Sequence, residues 1–170
     1  CGGFHTAFVA CPSGKVATTF LPDVDTATAP VFSGNLYVCG LSKAGQLGIG
    51  SPTKPFIATP MKVALPETNQ YCFQVSCGFH HTAVVAFNDC NEMDPNSLQS
   101  SVYCCGWGEH GRLGNGDEEQ RFEVTLVQFP PPTSASSSSA ASSSARSNRF
   151  VPVHVSCGEQ HTIALGTNGV

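Results

Sequence analysis

The chain has 170 residues, of which 41% are hydrophobic and only 12% are charged, with a formal net charge of −4 at pH 7. Its eight lysine and arginine residues are scattered, whereas a nucleic-acid-binding surface needs clustered cations, so the composition gives no sign of direct nucleic-acid binding. Many glycines and prolines argue against long helices, and no apolar run reaches the roughly eighteen residues that a membrane-spanning helix needs.

Three copies of one motif divide the chain. The motif reads Cys-Gly-x-x-His-Thr and begins at Cys1, Cys77 and Cys157, with spacings of 76 and 80 residues. A second motif, Gly-x-Leu-Gly-x-Gly, follows at 45–50 and again at 111–116. Two patterns that recur in the same order predict a repeat architecture. We expect units at about 1–76 and 77–156 and the start of a third at 157–170.

Each unit is predicted to contain four short strands. In the best-defined unit these strands are predicted at Met61–Leu65, Tyr71–Cys77, His81–Phe87 and Ser101–Cys105. Alternate residues of the second strand are apolar, which matches the two-residue period of a β-strand. Four-stranded sheets at a fixed sequence period are typical of propeller blades. The predicted fold class is therefore all-β, with four-stranded antiparallel sheets that form the blades of an incomplete β-propeller ring.

Three insertions lengthen the units, at Cys11–Pro30, Asn88–Ser100 and Pro130–Arg149. The last opens with three prolines and continues almost wholly in serine and alanine, so it cannot bury apolar surface. Residues 130–149 are therefore predicted to be disordered. The chain begins without methionine and stops within an apparent strand, so we expect it to be part of a longer protein.

Nine cysteines raise the alternatives of disulfides, zinc or a catalytic Cys-His dyad. The count is odd and five cysteines occupy repeated positions, which favours reduced structural thiols in a cytoplasmic or nuclear protein. A metal site gathers its ligands in one place, whereas blades hold equivalent residues apart. We expect no metal, no cofactor and no catalytic residue, and we assign structural roles to Cys77, Gly78, His81, Cys157, Gly158 and His161.

The second motif resembles a loop that cradles phosphate, but its context differs from that of a nucleotide site. Such a loop needs a helix start behind it. Prolines at 52 and 55 prevent one after the first copy, and the carboxylates of 117–119 follow the second. We expect Gly48 and Gly114 to allow positive φ in tight turns, while the leucine of each motif fills the space between blades.

Candidate partner-binding residues lie where the repeat breaks. Trp107 and His110 replace Leu41 and Ala44 of the first copy, and specific binding usually resides in such non-repeated positions. The plainer alternative is a solvated loop without a partner. Nearby charged residues complete the candidate set: Asp117, Glu118 and Arg121.

Taken together, the two motifs resemble the repeat of the regulator of chromosome condensation family. That resemblance implies a seven-bladed propeller that binds a protein partner as a scaffold or regulator, and not an enzyme. A second function it implies is guanine nucleotide exchange on a Ran-type small GTPase, with chromatin association. The sequence departs from the family at Cys39 and Cys105, where tryptophan is common. A light-sensing propeller needs clustered tryptophans, and this chain has one.

Overall fold

The structure is a computed structural model that describes residues 1–10, 34–50, 54–67, 70–88, 100–130 and 150–166. These ranges contain strands and one short 3-10 turn, Glu109–Gly111. No helix in them is long and apolar enough to cross a membrane. The strands are β1 (His5–Ala10), β2 (Asn35–Leu41), β3 (Phe56–Val63), β4 (Gln70–Cys77), β5 (His81–Asn88), β6 (Ser100–Gly106), β7 (Arg121–Leu126), β8 (Pro152–Cys157) and β9 (Thr162–Gly166).

The strands form three antiparallel sheets in chain order. Blade 1 is β1-β2-β3, blade 2 is β4-β5-β6-β7, and blade 3 is β8-β9. The prediction of an all-β chain built from antiparallel blades in an incomplete ring is confirmed. The predicted insertions lie almost entirely outside the described residues, and so does the disorder predicted for 130–149, apart from Pro130.

The predicted grouping of strands into one blade is wrong at its first member. The Met61–Leu65 segment was expected to join the blade of Tyr71–Cys77, but its residues up to Val63 belong to β3 and pair with β2 in blade 1. Blade 2 is completed instead by β7, which pairs with β6. Almost all side chains of β3 are exposed, so its sequence lacks the alternation that marks a half-buried strand.

Strand β5, an inner strand of blade 2, is buried on both faces. Val84 packs in a core shared with Leu36 of blade 1, while Val85 packs in a second core with Val155 of blade 3. A strand that lies between two neighbouring sheets needs apolar residues on both sides, which accounts for the continuous apolar run in β5.

A hydrogen-bond chain joins blade 1 to blade 2. His5 Nε2 lies 2.7 Å from Thr82 Oγ1, and the Thr82 hydroxyl lies 2.7 Å from the carbonyl oxygen of Gln46, to which it donates. Because the hydroxyl proton is used on that carbonyl, His5 Nε2 must carry a proton and donate to Thr82. His5 Nδ1 is then bare, and it is buried without a hydrogen-bond partner among the described residues. We call this arrangement the His–Thr joint.

The His–Thr joint recurs between blades 2 and 3. His81 Nε2 lies 2.9 Å from Thr162 Oγ1, and the Thr162 hydroxyl donates to the Arg112 carbonyl oxygen at 2.8 Å. Burial lowers the pKa of His5 and of His81 to about 4, and the charge of Arg112 adds to the effect at His81. Both rings are therefore neutral at pH 7. His161, the third copy, is exposed in the described structure.

Each Cys-Gly-x-x-His segment forms a tight turn between two strands. The Gly78 N–H donates to the His81 carbonyl oxygen at 2.8 Å, and the other two copies repeat this bond. A Cβ on Gly78 would lie 2.5 Å from His81 Nδ1 and 2.6 Å from the Gly158 carbonyl oxygen of blade 3, so only glycine fits. The Cys157 N–H donates to Ser76 Oγ at 3.0 Å, which ties blade 3 to blade 2 beside the turn.

The Gly-x-Leu-Gly-x-Gly loop of blade 1 packs against blade 2. Gly48 has φ +65°, and its counterpart Gly114 has φ +71°. A Cβ on Gly48 would lie 2.5 Å from Val124 Cγ2 and 2.9 Å from Cys105 Sγ, both in blade 2. Leu47 beside it is 1% exposed. The loop therefore fills the space between blades, as the sequence predicts for its leucine.

Two alanine substitutions separate the packing of this loop from its backbone strain. Gly48→Ala should lower the free energy of unfolding by about 2–4 kcal/mol, because left-handed strain adds to overpacking. Gly116→Ala should cost only about 1 kcal/mol, since φ is also positive there (+84°) but the described residues leave open space around it. Urea unfolding of both variants measures the difference, and equal losses would contradict tight packing at Gly48.

The buried histidines predict a loss of stability in mild acid. Their folded pKa of about 4 lies below the ordinary 6.5, so the unfolded chain takes up protons first. Stability should be complete above pH 6.5 and fall as the pH drops from 6.5 to 4, by at most about 3 kcal/mol for each histidine. Urea unfolding at several pH values measures this fall. His81→Gln should be less stable at pH 7 but show a shallower slope, and an unchanged slope would refute the assignment.

Candidate functional site

The described cysteines are all free thiols. Burial raises the pKa of Cys72 and of Cys105 to about 12, so both are protonated and unreactive at pH 7. The nearby thiols of Cys77 and Cys157 raise the pKa of Cys105 further. No group of three histidine, cysteine or acidic side chains in the described ranges is arranged to hold a metal ion.

The segment from Trp107 to Arg121, which we call the Trp107 loop, is closed on itself. The Trp107 N–H donates to the His80 carbonyl oxygen at 3.0 Å, at the end of β6. The Arg112 guanidinium lies 5.2 Å from the centre of the Trp107 ring, and Arg112 Nε donates to the Glu109 carbonyl oxygen at 2.8 Å. A Cβ on Gly108 would collide with the carbonyl oxygen of Glu119, so the two ends of the loop pack together.

The charged residues at the end of the Trp107 loop divide into two groups. Arg121 pairs with Asp117 at 2.6 Å and with Glu119 at 3.3 Å. Asp117 Oδ1 also accepts the Glu119 N–H at 3.0 Å. Asp117 and Arg121 therefore brace the loop, whereas Glu118 is exposed and makes no ion pair with any described residue. Of the five predicted partner-binding residues, Trp107, His110, Asp117 and Glu118 are exposed and Arg121 is half-buried, and Asp117 is already engaged by Arg121.

His110 holds a strained backbone conformation on an exposed turn. Its φ of +63° makes it the one non-glycine residue with positive φ in the described ranges. A side chain there costs about 1 kcal/mol, which glycine would avoid. Strain at an exposed position suggests a functional side chain, because the fold alone would be better served by glycine.

Sequence reasoning missed an exposed cluster beside the loop. Phe4 and Phe79 meet edge to face with ring centres 5.0 Å apart, and His80 bridges them to Trp107 at 4.7 Å from Phe79 and 5.2 Å from Trp107. Phe4 is 53% exposed, and Phe79 and Trp107 are each 39% exposed. We call these four residues the aromatic patch. Comparing the repeat copies with one another points to residues that are the same in every copy of Cys-Gly-x-x-His. Phe4, Phe79 and His80 occupy the two variable positions of that motif, so the comparison does not point to them.

Comparison with known families agrees with this geometry. The family described as Regulator of chromosome condensation (RCC1) repeat matches residues 33–85 and 99–165, which is most of the chain. The chain belongs to this family. The two RCC1 repeat matches cover both Gly-x-Leu-Gly-x-Gly loops and the Cys-Gly-x-x-His turns at Cys77 and Cys157.

Individual relatives carry RCC1 repeats within longer proteins. The chain is 34% identical over 112 residues to the dog X-linked retinitis pigmentosa GTPase regulator, covering 65% of this chain and 10% of that protein. It is 36% identical over 81 residues to a bovine secretion-regulating guanine nucleotide exchange factor, covering 48% of this chain and 14% of that protein. The crystal structure of human WBSCR16 aligns with a TM-score of 0.37 at 18% identity, covering 98% of this chain and 46% of that one.

Replacing His110 tests whether its backbone strain is real. His110→Gly should be more stable than His110→Ala by about 1 kcal/mol, because both remove the side chain but only glycine adopts positive φ without strain. Urea unfolding at pH 7 provides the comparison. If the alanine variant proves as stable as the glycine variant, the turn is unstrained, and its backbone conformation no longer indicates a functional role for His110.

Proposed function

We propose that these repeats form part of a propeller that binds a protein partner through the Trp107 loop. Recognition would use the exposed side chains of Trp107, His110 and Glu118, with Asp117 and Arg121 holding the loop in place. No bond chemistry is required of them. The observation that carries the proposal is a loop that differs from its repeat counterpart and is nevertheless braced from within.

The bracing of the loop supports a binding role. A flexible loop loses conformational entropy when it binds, whereas a loop already fixed by hydrogen bonds and ion pairs loses little. Here the Arg112 side chain fixes the first turn, and the Arg121 ion pairs fix the last. Glu118 and His110 are thereby presented to solvent in defined positions, which suits specific recognition.

The difference between the two repeat copies supports the same role. Leu41 lies in blade 1 where Trp107 lies in blade 2, and its N–H makes the equivalent bond to the Phe4 carbonyl oxygen at 2.9 Å. The repeat frame therefore accepts leucine at this position. A half-exposed tryptophan is not needed for folding, and tryptophan is among the residues most enriched in the energetic centres of protein interfaces.

A second candidate function is nucleotide exchange on a small GTPase. The similarity to the bovine exchange factor over 81 residues favours this candidate, in which the GTPase itself would be the partner of the loop. We propose a cytoplasmic or nuclear location for either function, in keeping with the free thiols of the described residues.

Site-specific crosslinking in cells tests the proposal. A photoreactive amino acid at position 118 should capture a partner, whereas the same group at position 62, an exposed lysine on β3, should not. Trp107→Leu should reduce the capture at 118 about tenfold or more, which is typical of losing an interface tryptophan. The melting temperature should change little, because blade 1 folds with leucine at this position and Arg112 keeps its bonds to the carbonyl oxygens of Glu109 and Glu159.

The control variant is Lys62→Ala, which should leave the capture at 118 intact. Identical products from positions 118 and 62, or capture that survives Trp107→Leu, would refute the loop as the binding site. If the captured protein is a small GTPase, faster release of a fluorescent GDP analogue in the presence of the repeats would decide for the exchange function.

A further inference from the structure

The aromatic patch forms one continuous surface across two blades. Besides the contacts already given, Phe4 stacks on His80 with ring centres 5.5 Å apart and planes 18° from parallel. Its members come from the turn before β1, the turn before β5 and the start of the Trp107 loop. Contiguous exposed aromatic rings on a folded domain mark an interaction site. Rings that stay in contact with water add little to the stability of the fold, and polar residues would be better solvated at the same positions.

The fold does not demand aromatic residues at these positions. In blade 3 the two variable positions of the turn hold Glu159 and Gln160, which are both exposed, and the turn is closed by the same Gly158 to His161 backbone bond. In blade 1 one of the positions is Gly3. The turn therefore folds with glycine, acidic, amide or aromatic residues there, so the patch calls for a reason outside folding.

Acidic residues lie next to the patch: Arg112, whose guanidinium rests on Trp107, donates to the backbone carbonyl oxygens of Glu109 and Glu159. Glu109, Glu118 and Glu159 are exposed and form no ion pair among the described residues. Burial and the nearby charge of Arg112 lower the pKa of His80, so this ring adds no positive charge at pH 7. A surface of exposed rings beside unpaired carboxylates is complementary to a partner that carries positive charge.

The cation at the patch belongs to its internal structure. Arg112 is only 4% exposed, and its Nη1 donates to the Glu159 carbonyl oxygen at 3.0 Å while its guanidinium rests on Trp107. Its N–H groups donate to backbone carbonyl oxygens, so the carboxylates of Glu109 and Glu159 remain without an ion pair among the described residues. The same contact shows that a ring of the patch accepts a guanidinium. Phe4 and Phe79 offer further exposed rings without one.

We propose that the aromatic patch binds a basic segment of the protein partner, whose arginine side chains stack on Phe4 and Phe79 and reach the carboxylates of Glu109 and Glu159. This inference rests on the proposed binding function and specifies the chemistry of the partner. Arginine is favoured over lysine, because a planar guanidinium stacks on rings as well as pairing with carboxylates.

Fluorescence anisotropy with three labelled peptides tests the proposal on the full protein. The probes contain four repeats of Gly-Arg-Ser, Gly-Lys-Ser or Gly-Asp-Ser. The arginine peptide should bind several-fold more tightly than the lysine peptide, and the aspartate peptide should not bind. Affinity for the arginine peptide should fall as salt is raised from low to physiological ionic strength, because exposed charges are screened.

Matched variants locate the binding on the patch. Phe79→Ala should weaken the arginine peptide about tenfold, while Phe56→Ala, at an exposed phenylalanine on β3, should have no effect. Glu159→Gln should weaken arginine and lysine peptides alike by about threefold, while Glu123→Gln on β7 should not. Phe79→Leu keeps apolar bulk without a ring, so it should reduce the preference for arginine over lysine even if Phe79→Ala destabilises the turn.

The outcomes separate this inference from the proposed function. Equal binding of the aspartate peptide, or equal effects of Phe79→Ala and Phe56→Ala, would overturn the basic-segment proposal. If crosslinking at 118 succeeds while the arginine peptide neither binds nor competes with the captured partner, the binding function stands and this inference fails. If both experiments fail, the proposed function fails as well.

Discussion

The hydrogen bond from His5 Nε2 to the Thr82 hydroxyl crosses between blades 1 and 2, and its copy from His81 crosses between blades 2 and 3. Each threonine hydroxyl donates to a backbone carbonyl oxygen, so the histidine must donate from a protonated Nε2. The lowered pKa of both histidines makes this the neutral tautomer at pH 7. A buried polar group without its partner is costly. The blades are therefore held at a distance and rotation that satisfy the imidazole N–H, the threonine hydroxyl and the backbone carbonyl together. Apolar packing alone would not specify that geometry.

The same joint explains which positions of the repeat are free to vary. In the first two turns the closing histidine is fixed by the threonine of the next blade, and in all three turns the opening glycine is fixed by the close approach of the histidine ring. The two residues between them meet neither constraint and lie at the surface. Evolution of a binding surface is therefore least restricted at these positions, and this is where Phe4, Phe79 and His80 lie.

Most of the fold was predictable from the sequence because the repeat is strict where the joint requires it. The turn motif, the glycine loops and the doubly buried β5 all follow from local patterns of residues. The outer strand β3 was assigned to the wrong blade because its exposed side chains carry no alternating pattern. The aromatic patch was missed for a different reason: Phe4 and Trp107 are about a hundred residues apart in sequence, and only the packing of blade on blade brings them to one surface.

Arg112 connects the structural and the binding parts of the molecule. Its carbonyl oxygen accepts the Thr162 hydroxyl in the second His–Thr joint, while its side chain lies under Trp107 and donates to the carbonyl oxygens of Glu109 and Glu159. The adjacent Leu113 is 1% exposed and anchors the segment between blades. The inner side of the Trp107 loop is thus part of the interface between blades 2 and 3, and its outer side carries the residues that we propose to bind. Because the loop is fixed on its inner side, residues on its outer side can be substituted without disturbing the packing of the blades. A repeat protein needs this property in order to acquire a specific partner.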